Sequence, residues 1–259
     1  MQTSHSAGID GTLTSRYECK YFVSEERARR IREEIRPFLS LDPFSAKQEE
    51  HRYRVYSLYF DSPGFRLFQD TVEGARNRFK LRLRYYDAEG QGPIFAEVKK
   101  RNDQIVRKAR DPLSDDQRAK LLDAGQDLAR TEFHQQLRRL GARPSMQIRY
   151  YREAWECRGH TPVRVTFDTD LQHALPVAGE AISPRTDWER TPLDGVILEL
   201  KFTERRPPWL AALVQRFELD KQSIPKYVMS VNAAQASGNL RHHFARTAVC
   251  PSWRHVSSL

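Results

Sequence analysis

The run Lys80-Leu81-Arg82-Leu83-Arg84-Tyr85 alternates cationic and apolar side chains without a break. A β-strand turns successive side chains to opposite faces, so Lys80, Arg82 and Arg84 share one face and Leu81, Leu83 and Tyr85 the other. Taken alone, such a run reads as a solvated outer face over a core. The pattern recurs, however. Arg16, Glu18 and Lys20 share a face, as do Glu97, Lys99 and Arg101, and Glu199 and Lys201 do so directly after the apolar run Val196-Ile197-Leu198. A further strand contributes Arg164, Thr166 and Asp168, with Arg149 and Arg152 at opposite parity on the strand before it. Scattered surface charge would not be expected to repeat Glu-x-Lys at strand after strand.

Eight alternating or apolar runs read as strands, at about 16–22, 54–60, 78–86, 93–100, 105–109, 146–156, 163–168 and 195–202. Three helical segments interrupt them. The first is capped by Ser24, with Glu25 and Glu26 in its opening turn and Ala28, Ile31, Ile35 and Phe38 at helical spacing. The second opens on a Ser114/Gln117 capping box, carries Leu121 and Leu122, and runs on past Phe133, Leu137 and Leu140 to a stop at Gly141 and Pro144. The third follows Pro207 and Pro208, with Leu210, Leu213, Val214 and Phe217 on one face. This is an α+β chain dominated by antiparallel strands, and eight strands suggest a barrel or two packed sheets. Its 259 residues suffice for one large core. Residues 1–14 read as a mobile leader, 15–236 as one domain, and 237–259 as a tail or peripheral element.

The 43 Lys and Arg against 34 Asp and Glu leave a net charge of +9. That excess predicts anionic company: nucleic acid, an anionic membrane surface, or phosphate-rich small molecules. A mean hydropathy of -0.71 and the lack of an apolar run near 20 residues exclude a membrane-embedded chain. Cys19, Cys157 and Cys250 are far apart and form no CxxC pair, so neither a zinc site nor a disulfide framework is legible. With no basic and apolar leader at the N-terminus, the reduced cytoplasm is the expected compartment.

If the charged faces point inward, the sheet encloses a lumen of Lys and Arg with a few carboxylates. Cations packed so closely repel one another, so the lumen makes physical sense if it binds a polyanion. A Glu among them can hold Mg²⁺ or Mn²⁺, which keeps waters and bridges phosphate oxygens. Cationic positioning of a phosphate chain together with a metal is what phosphoryl transfer requires.

The segments RYECKY, VYSLYFDS with FQDTVEG, KLRLRYY, IFAEVKKR, IRYYREAW, VRVTFDTDL, LELKF and IPKYVMSV occur in that order between about Arg16 and Asn232. In order and spacing they resemble the VTC (vacuolar transporter chaperone) polyphosphate polymerase domain, a branch of the CYTH or triphosphate tunnel metalloenzyme superfamily. The resemblance implies an antiparallel β-barrel tunnel with a few peripheral helices. It also implies transfer of the γ-phosphoryl of ATP to a growing inorganic polyphosphate chain. By position, Lys20, Arg82, Arg84, Lys99, Arg152, Arg164 and Lys226 match the family's phosphate-gripping residues, and Lys80 and Lys201 share their faces. Glu199 matches its metal-binding glutamate, with Mn²⁺ or Mg²⁺ expected. Glu18 and Glu97 are further metal candidates that could instead orient neighbouring lysines. The family often has Ser where this chain has Pro225, and its eukaryotic members carry a basic residue where this chain has Ser223. A separate membrane protein is a candidate partner, since the attached membrane helices of eukaryotic relatives are missing from this sequence.

Two other readings of the same grip remain: a tunnel triphosphatase in which water replaces the acceptor, and a non-catalytic polyphosphate-binding module. Nucleic acid is disfavoured. It calls for stacking aromatics beside the cations, and only Tyr85 and Tyr86 qualify, with Tyr85 at core parity. His134, His242 and His243 lack metal-site spacing. Trp188, Trp209 and Trp253 read as packing residues, Asp61 and Asp70 as turn and cap residues, and Asp168 as a lumen residue or a partner for Arg164.

Overall fold

Each of the eight expected strands forms. The computed structural model describes residues 16–240, leaving out 104, 115–116, 118–130, 158–161, 178–181, 183 and 204. In chain order the elements are β1 (Arg16–Val23), α1 (Glu25–Ile35), β2 (Ser40–Leu41), α2 (Pro43–Ala46), β3 (Tyr53–Asp61), α3 (Arg66–Val72), β4 (Asn77–Tyr85) and β5 (Phe95–Asn102). Then follow β6 (Ile105–Pro112), α4 (Glu132–Leu140), β7 (Arg143–Cys157), β8 (Val163–Ala174), β9 (Glu189–Arg190), β10 (Val196–Thr203), α5 (Pro208–Arg216) and α6 (Lys226–Ala236). The leader 1–14, Leu121, Leu122, His242, His243, Cys250 and Trp253 lie outside the described residues, as does most of the expected tail.

The strands make one antiparallel sheet in the order β1-β10-β8-β7-β3-β4-β5-β6, with β2 added beside β7 and β9 beside β8. Among the described residues this ladder is open, with β1 and β6 at its ends, where the sequence expectation is a closed barrel. The sheet nevertheless curls. Lys99 of β5 reaches Glu18 of β1 at 2.8 Å, so a side-chain ion pair bridges the seam that no backbone ladder closes.

Strand parity sorts the residues as the alternation predicts. On the convex side, β1, β8 and β10 pack Cys19, Tyr21, Val165, Phe167, Leu198 and Leu200 against Ala28, Ile31 and Ile35 of α1 and Leu210 and Leu213 of α5. A second convex cluster joins Leu58, Phe60, Leu81, Leu83, Tyr85, Ala96 and Val98 to Phe133 of α4. On the concave side α6 closes over the sheet, setting Tyr227, Val228 and Val231 against Tyr59, Met146, Ile148 and Tyr150.

The helix signals are local and mostly hold. The Ser24 hydroxyl caps α1 by accepting from the Arg27 amide, and Ser114 and Gln117 bond reciprocally as a capping box. Gly141 closes α4 at φ 55, a left-handed conformation that glycine adopts without a Cβ penalty. Phe38 departs from expectation. Arg36 keeps helical dihedrals, but Pro37 has no N–H to continue the ladder, so α1 ends at Ile35, and Phe38 lies half-exposed against Trp209 with ring centroids 4.6 Å apart. α3 has no side-chain N-cap, and Asp61 supplies one from a distance by accepting from the amides of Leu67 at 2.9 Å and Phe68 at 3.0 Å.

Candidate functional site

The concave face carries the charge. In the antiparallel pair β1/β10, Glu18 lies opposite Lys201 and Lys20 opposite Glu199. Two Glu-x-Lys strands running in opposite directions thus make a square of alternating charge. Lys201 Nζ is 3.1 Å from Glu199, and Lys20 is 3.7 Å from Glu18 and 3.9 Å from Glu199. The carboxyls of Glu18 and Glu199 adjoin one another, and the charge of Glu199 opposes the ionisation of Glu18. Burial opposes ionisation of Glu199, but Lys201, Lys20 and Arg152 outweigh it and hold the carboxyl well below its usual range. Burial brings the Lys201 ammonium down to about 8, an effect that Glu199 and Glu18 only partly offset.

The second half of the face is built by β4, β5 and β6. Arg82 lies opposite Glu97, which lies opposite Arg110. Nε and Nη2 of Arg82 both reach Glu97 at 2.7 Å, and Lys108 and Arg110 stand 3.1 and 3.5 Å from the same carboxylate. Arg82 Nη1 also donates to the Tyr59 hydroxyl at 3.1 Å, and Arg84 Nη2 donates to Tyr150 at 3.2 Å. Glu97 is 1% exposed and lies within ion-pairing distance of Arg82, Lys108 and Arg110.

Between these halves, Asp168 takes a bidentate pair from Arg152 at 2.7 Å and a third bond from Lys226 at 2.7 Å. It does not pair with Arg164, contrary to one of the two roles read from the sequence. The β7/β8 register explains this, because it places Asp168 opposite Arg152 and Arg164 opposite Glu156. Arg164 bonds Glu156 and Asp42, each at 2.6 Å. The register jump near Tyr151 falls on β8, where Asp170 takes φ 51. β7 therefore keeps its parity, with Arg152 facing the site while Arg149 stacks on Trp188 and bonds Gln172.

Lys80 is the exception among the cations. It forms no ion pair or hydrogen bond with another described residue. Burial, then Lys20, Lys99, Arg82 and Arg78, push its ammonium well below the usual lysine range. Arg84 has no carboxylate within ion-pairing distance among the described residues, and its Nε is buried without a hydrogen-bond partner. All of Lys20, Lys80, Arg82, Arg84, Lys99, Arg152, Arg164, Lys201 and Lys226, with Glu18, Glu97 and Glu199, belong to this face and its rim. Lys108, Arg110, Tyr59, Tyr150 and Asp42 join them without having been placed there from the sequence, whereas Asp168 takes the lumen position that was one of its two readings. The period-2 spacing of Lys108 and Arg110 carries the signal for those two, but β6 extends three residues beyond the expected 105–109.

Carboxylates interleaved with clustered cations on the concave face of an antiparallel sheet make a cation-rich site. The family model for the VTC domain matches residues 15–235, and the chain belongs to the VTC domain family. No curated protein gives a match. Among solved structures, similarity is found to a Bacillus halodurans protein assigned provisionally as an adenylate cyclase. That likeness has 13% identity, covers 82% of this chain and 95% of the other, and has a TM-score of 0.47. The PH1819 protein of Pyrococcus horikoshii OT3 is similar at 11% identity over 86% of this chain and 99% of its own, with a TM-score of 0.43. No described helix is long and apolar enough to cross a membrane.

Proposed function

We propose that this chain is a metal-dependent polyphosphate polymerase that transfers the γ-phosphoryl of ATP to the end of an inorganic polyphosphate chain. The observation that carries the reading is the concave face with its cation surplus, above all Lys80 and Arg84, which lack carboxylate partners among the described residues, in a protein of the VTC domain family. In the reaction a terminal oxygen of the acceptor chain attacks the γ-phosphorus of ATP. The bond from that phosphorus to the β,γ-bridging oxygen breaks, and ADP leaves with the bonding electrons. Arg82, Arg84 and Lys99 position the phosphates in line, while Arg152, Arg164 and Lys226 oppose the charge that moves onto the leaving oxygen. Lys20 and Lys201 flank the acidic pair, and the curled sheet would act as a tunnel closed at its seam by the Lys99–Glu18 bridge.

Among the described residues, no three His, Cys, Asp or Glu side chains form a complete cage for a metal. The adjoining carboxyls of Glu199 and Glu18 fit a hard ion of the Mg²⁺ or Mn²⁺ kind that takes its other ligands from water and phosphate. Such an ion would supply neutralisation of phosphate charge. The reading places the reaction in the cytoplasm, with ATP and polyphosphate as ligands and a separate membrane protein as a partner. Incubation with ATP and Mn²⁺, followed by gel resolution of products, tests it. Long chains are expected from the wild type and none from Glu199→Gln. Orthophosphate as the sole product would refute the polymerase in favour of a triphosphatase.

A further inference from the structure

Beside the phosphate grip lies an aromatic cluster that phosphate binding does not use. Phe44 on α2 is 66% exposed and Tyr86, just past β4, is 38% exposed. Their rings are nearly parallel, 11° apart, with centroids separated by 6.3 Å. Tyr53, at the start of β3, tilts against both, with centroids 6.0 Å from Phe44 and 6.1 Å from Tyr86. A four-residue helix does not expose a phenylalanine for stability, because leaving that ring in water forgoes the gain of burying it.

The cluster is wired to the cations. Tyr86 follows Arg84 by two residues, and its hydroxyl accepts from Arg110 Nη2 at 3.2 Å. Tyr53 lies opposite Arg152 in the β3/β7 register. Asp42 connects the platform most directly. Its Oδ1 caps α2 by accepting from the Ser45 amide at 2.7 Å, while its Oδ2 accepts from Arg164 at 2.6 Å. One carboxylate therefore fixes both the helix that presents Phe44 and an arginine of the grip.

We propose that Phe44, Tyr86 and Tyr53 form a base-stacking platform at the rim of the site, and that its ligand is the nucleobase of a nucleoside triphosphate whose phosphates enter the cationic face. A naked polyphosphate has no π-face and gains nothing from these rings, so the platform distinguishes a nucleotide from the chain. Single-stranded nucleic acid fits less well, because three rings clustered at one rim offer a place for one base and not the succession of stacking positions that a strand uses. This inference rests on the polymerase reading for the position of the phosphates.

The test compares ATP, ribose 5-triphosphate and tripolyphosphate by isothermal titration on the full chain, wild type and Phe44→Ala. Phe44 is exposed, so the variant is expected to fold, and Phe44→Trp serves as a conservative control. Expected are a loss of about 10-fold or more in ATP affinity for Phe44→Ala, unchanged binding of tripolyphosphate and ribose 5-triphosphate, and retained ATP affinity in Phe44→Trp. ATP should also quench the fluorescence of Phe44→Trp, and tripolyphosphate should leave it unchanged. If wild type binds tripolyphosphate but Phe44→Ala loses nothing toward ATP, or loses equally toward all three ligands, the platform is refuted while the phosphate grip stands. If wild type binds none of the three, both readings fall. An oligodeoxyadenylate that binds more tightly than ATP and loses the same factor in Phe44→Ala would reassign the rings to nucleic acid and overturn the proposal.

Discussion

Asp168 separates a carboxylate that merely completes the fold from one that stands in for a ligand, so Asp168→Asn is the most informative perturbation. Its carboxylate is fully buried and engaged by Arg152 through both oxygens and by Lys226 through one. The isosteric amide leaves Lys226 with no carboxylate among the described residues and Arg152 with only Glu199, 3.7 Å away. Breaking a buried pair in this way costs about 3–5 kcal/mol. In a domain of this size each kcal/mol moves Tm by roughly 2–4 °C, so the ligand-free variant should melt about 6–20 °C lower. The cations it frees are those the proposed polyanion would touch, so Asp168→Asn should also bind tripolyphosphate more tightly. If the gain is tenfold, saturating tripolyphosphate closes the gap by about 1.4 kcal/mol, or roughly 3–6 °C. The pH sign is fixed as well. Burial opposes ionisation, but Arg152 and Lys226 outweigh it and hold the Asp168 carboxyl well below the usual range. Its stabilisation is therefore complete above about pH 4, the unfolded value, and fades as pH falls toward the lower folded value. The variant and wild type should converge in acid. Differential scanning fluorimetry with and without tripolyphosphate reads all of this. A gap that stays constant or widens with ligand would refute the idea that this carboxylate occupies the polyanion's place.

The other predictions concern single groups of the same construction. Lys80→Met removes a cation surrounded by cations, so it should raise Tm by a few degrees while weakening tripolyphosphate binding about tenfold, read by fluorimetry and titration; a lower Tm would argue that Lys80 is already paired. Lys201, brought down to about 8, is partly deprotonated just above neutral pH in the empty protein. A bound phosphate favours its charged form, so tripolyphosphate affinity should fall between pH 7 and 9 with proton uptake on binding, and Lys201→Met should flatten that profile. The depressed value also means that the unfolded chain holds more protons than the folded one between about pH 8 and 10.4, so this group's contribution to stability rises with pH there. Asp61→Asn should cost about 1.5–3 kcal/mol and lower Tm accordingly, because the carboxylate accepts from Ser62, Leu67, Phe68 and the Tyr227 hydroxyl and ties α3 to α6.

What was legible in the sequence followed from local periodicity. Alternation located every long strand and assigned faces correctly for Lys80, Arg82 and Arg84 and for Glu199 and Lys201, since a period of two survives any arrangement of partners. Three helices escaped: α2, whose four residues are too few to show a period, and two longer ones for physical reasons. The cap of α3 comes from Asp61, upstream of Phe65 and outside capping-box spacing, and Phe65 itself enters at φ 56. α6 begins after Pro225 with no side-chain cap and buries Tyr227, Val228, Ser230, Val231 and Ala234, which gives no single apolar stripe to detect. In the site, sequence supplied faces but not partners. Which carboxylate meets which cation depends on register, and the extra residue at Asp170 helps fix that register between β7 and β8. The aromatic platform draws on Phe44, Tyr53 and Tyr86 from three distant segments, so no local pattern announces it.

The interleaving of carboxylates resolves the apparent contradiction of a strongly cationic face inside a stable fold. Among the described residues of the face and its rim, Lys20, Lys80, Arg82, Arg84, Lys99, Lys108, Arg110, Arg152, Arg164, Lys201 and Lys226 outnumber Glu18, Asp42, Glu97, Glu156, Asp168 and Glu199. The face therefore keeps a cationic surplus. With no carboxylates the repulsion among buried cations would exceed the few kcal/mol of margin a domain possesses. With full compensation the face would have no reason to draw an anion. The two Glu-x-Lys strands β1 and β10 produce an intermediate state, because their antiparallel pairing places Glu18 opposite Lys201 and Lys20 opposite Glu199, while on β4 Lys80 and Arg84 have no carboxylate partner among the described residues. The repeat in the sequence is therefore what lets the sheet fold, and under the proposed function it is also what leaves the face short of negative charge for a phosphate chain to supply.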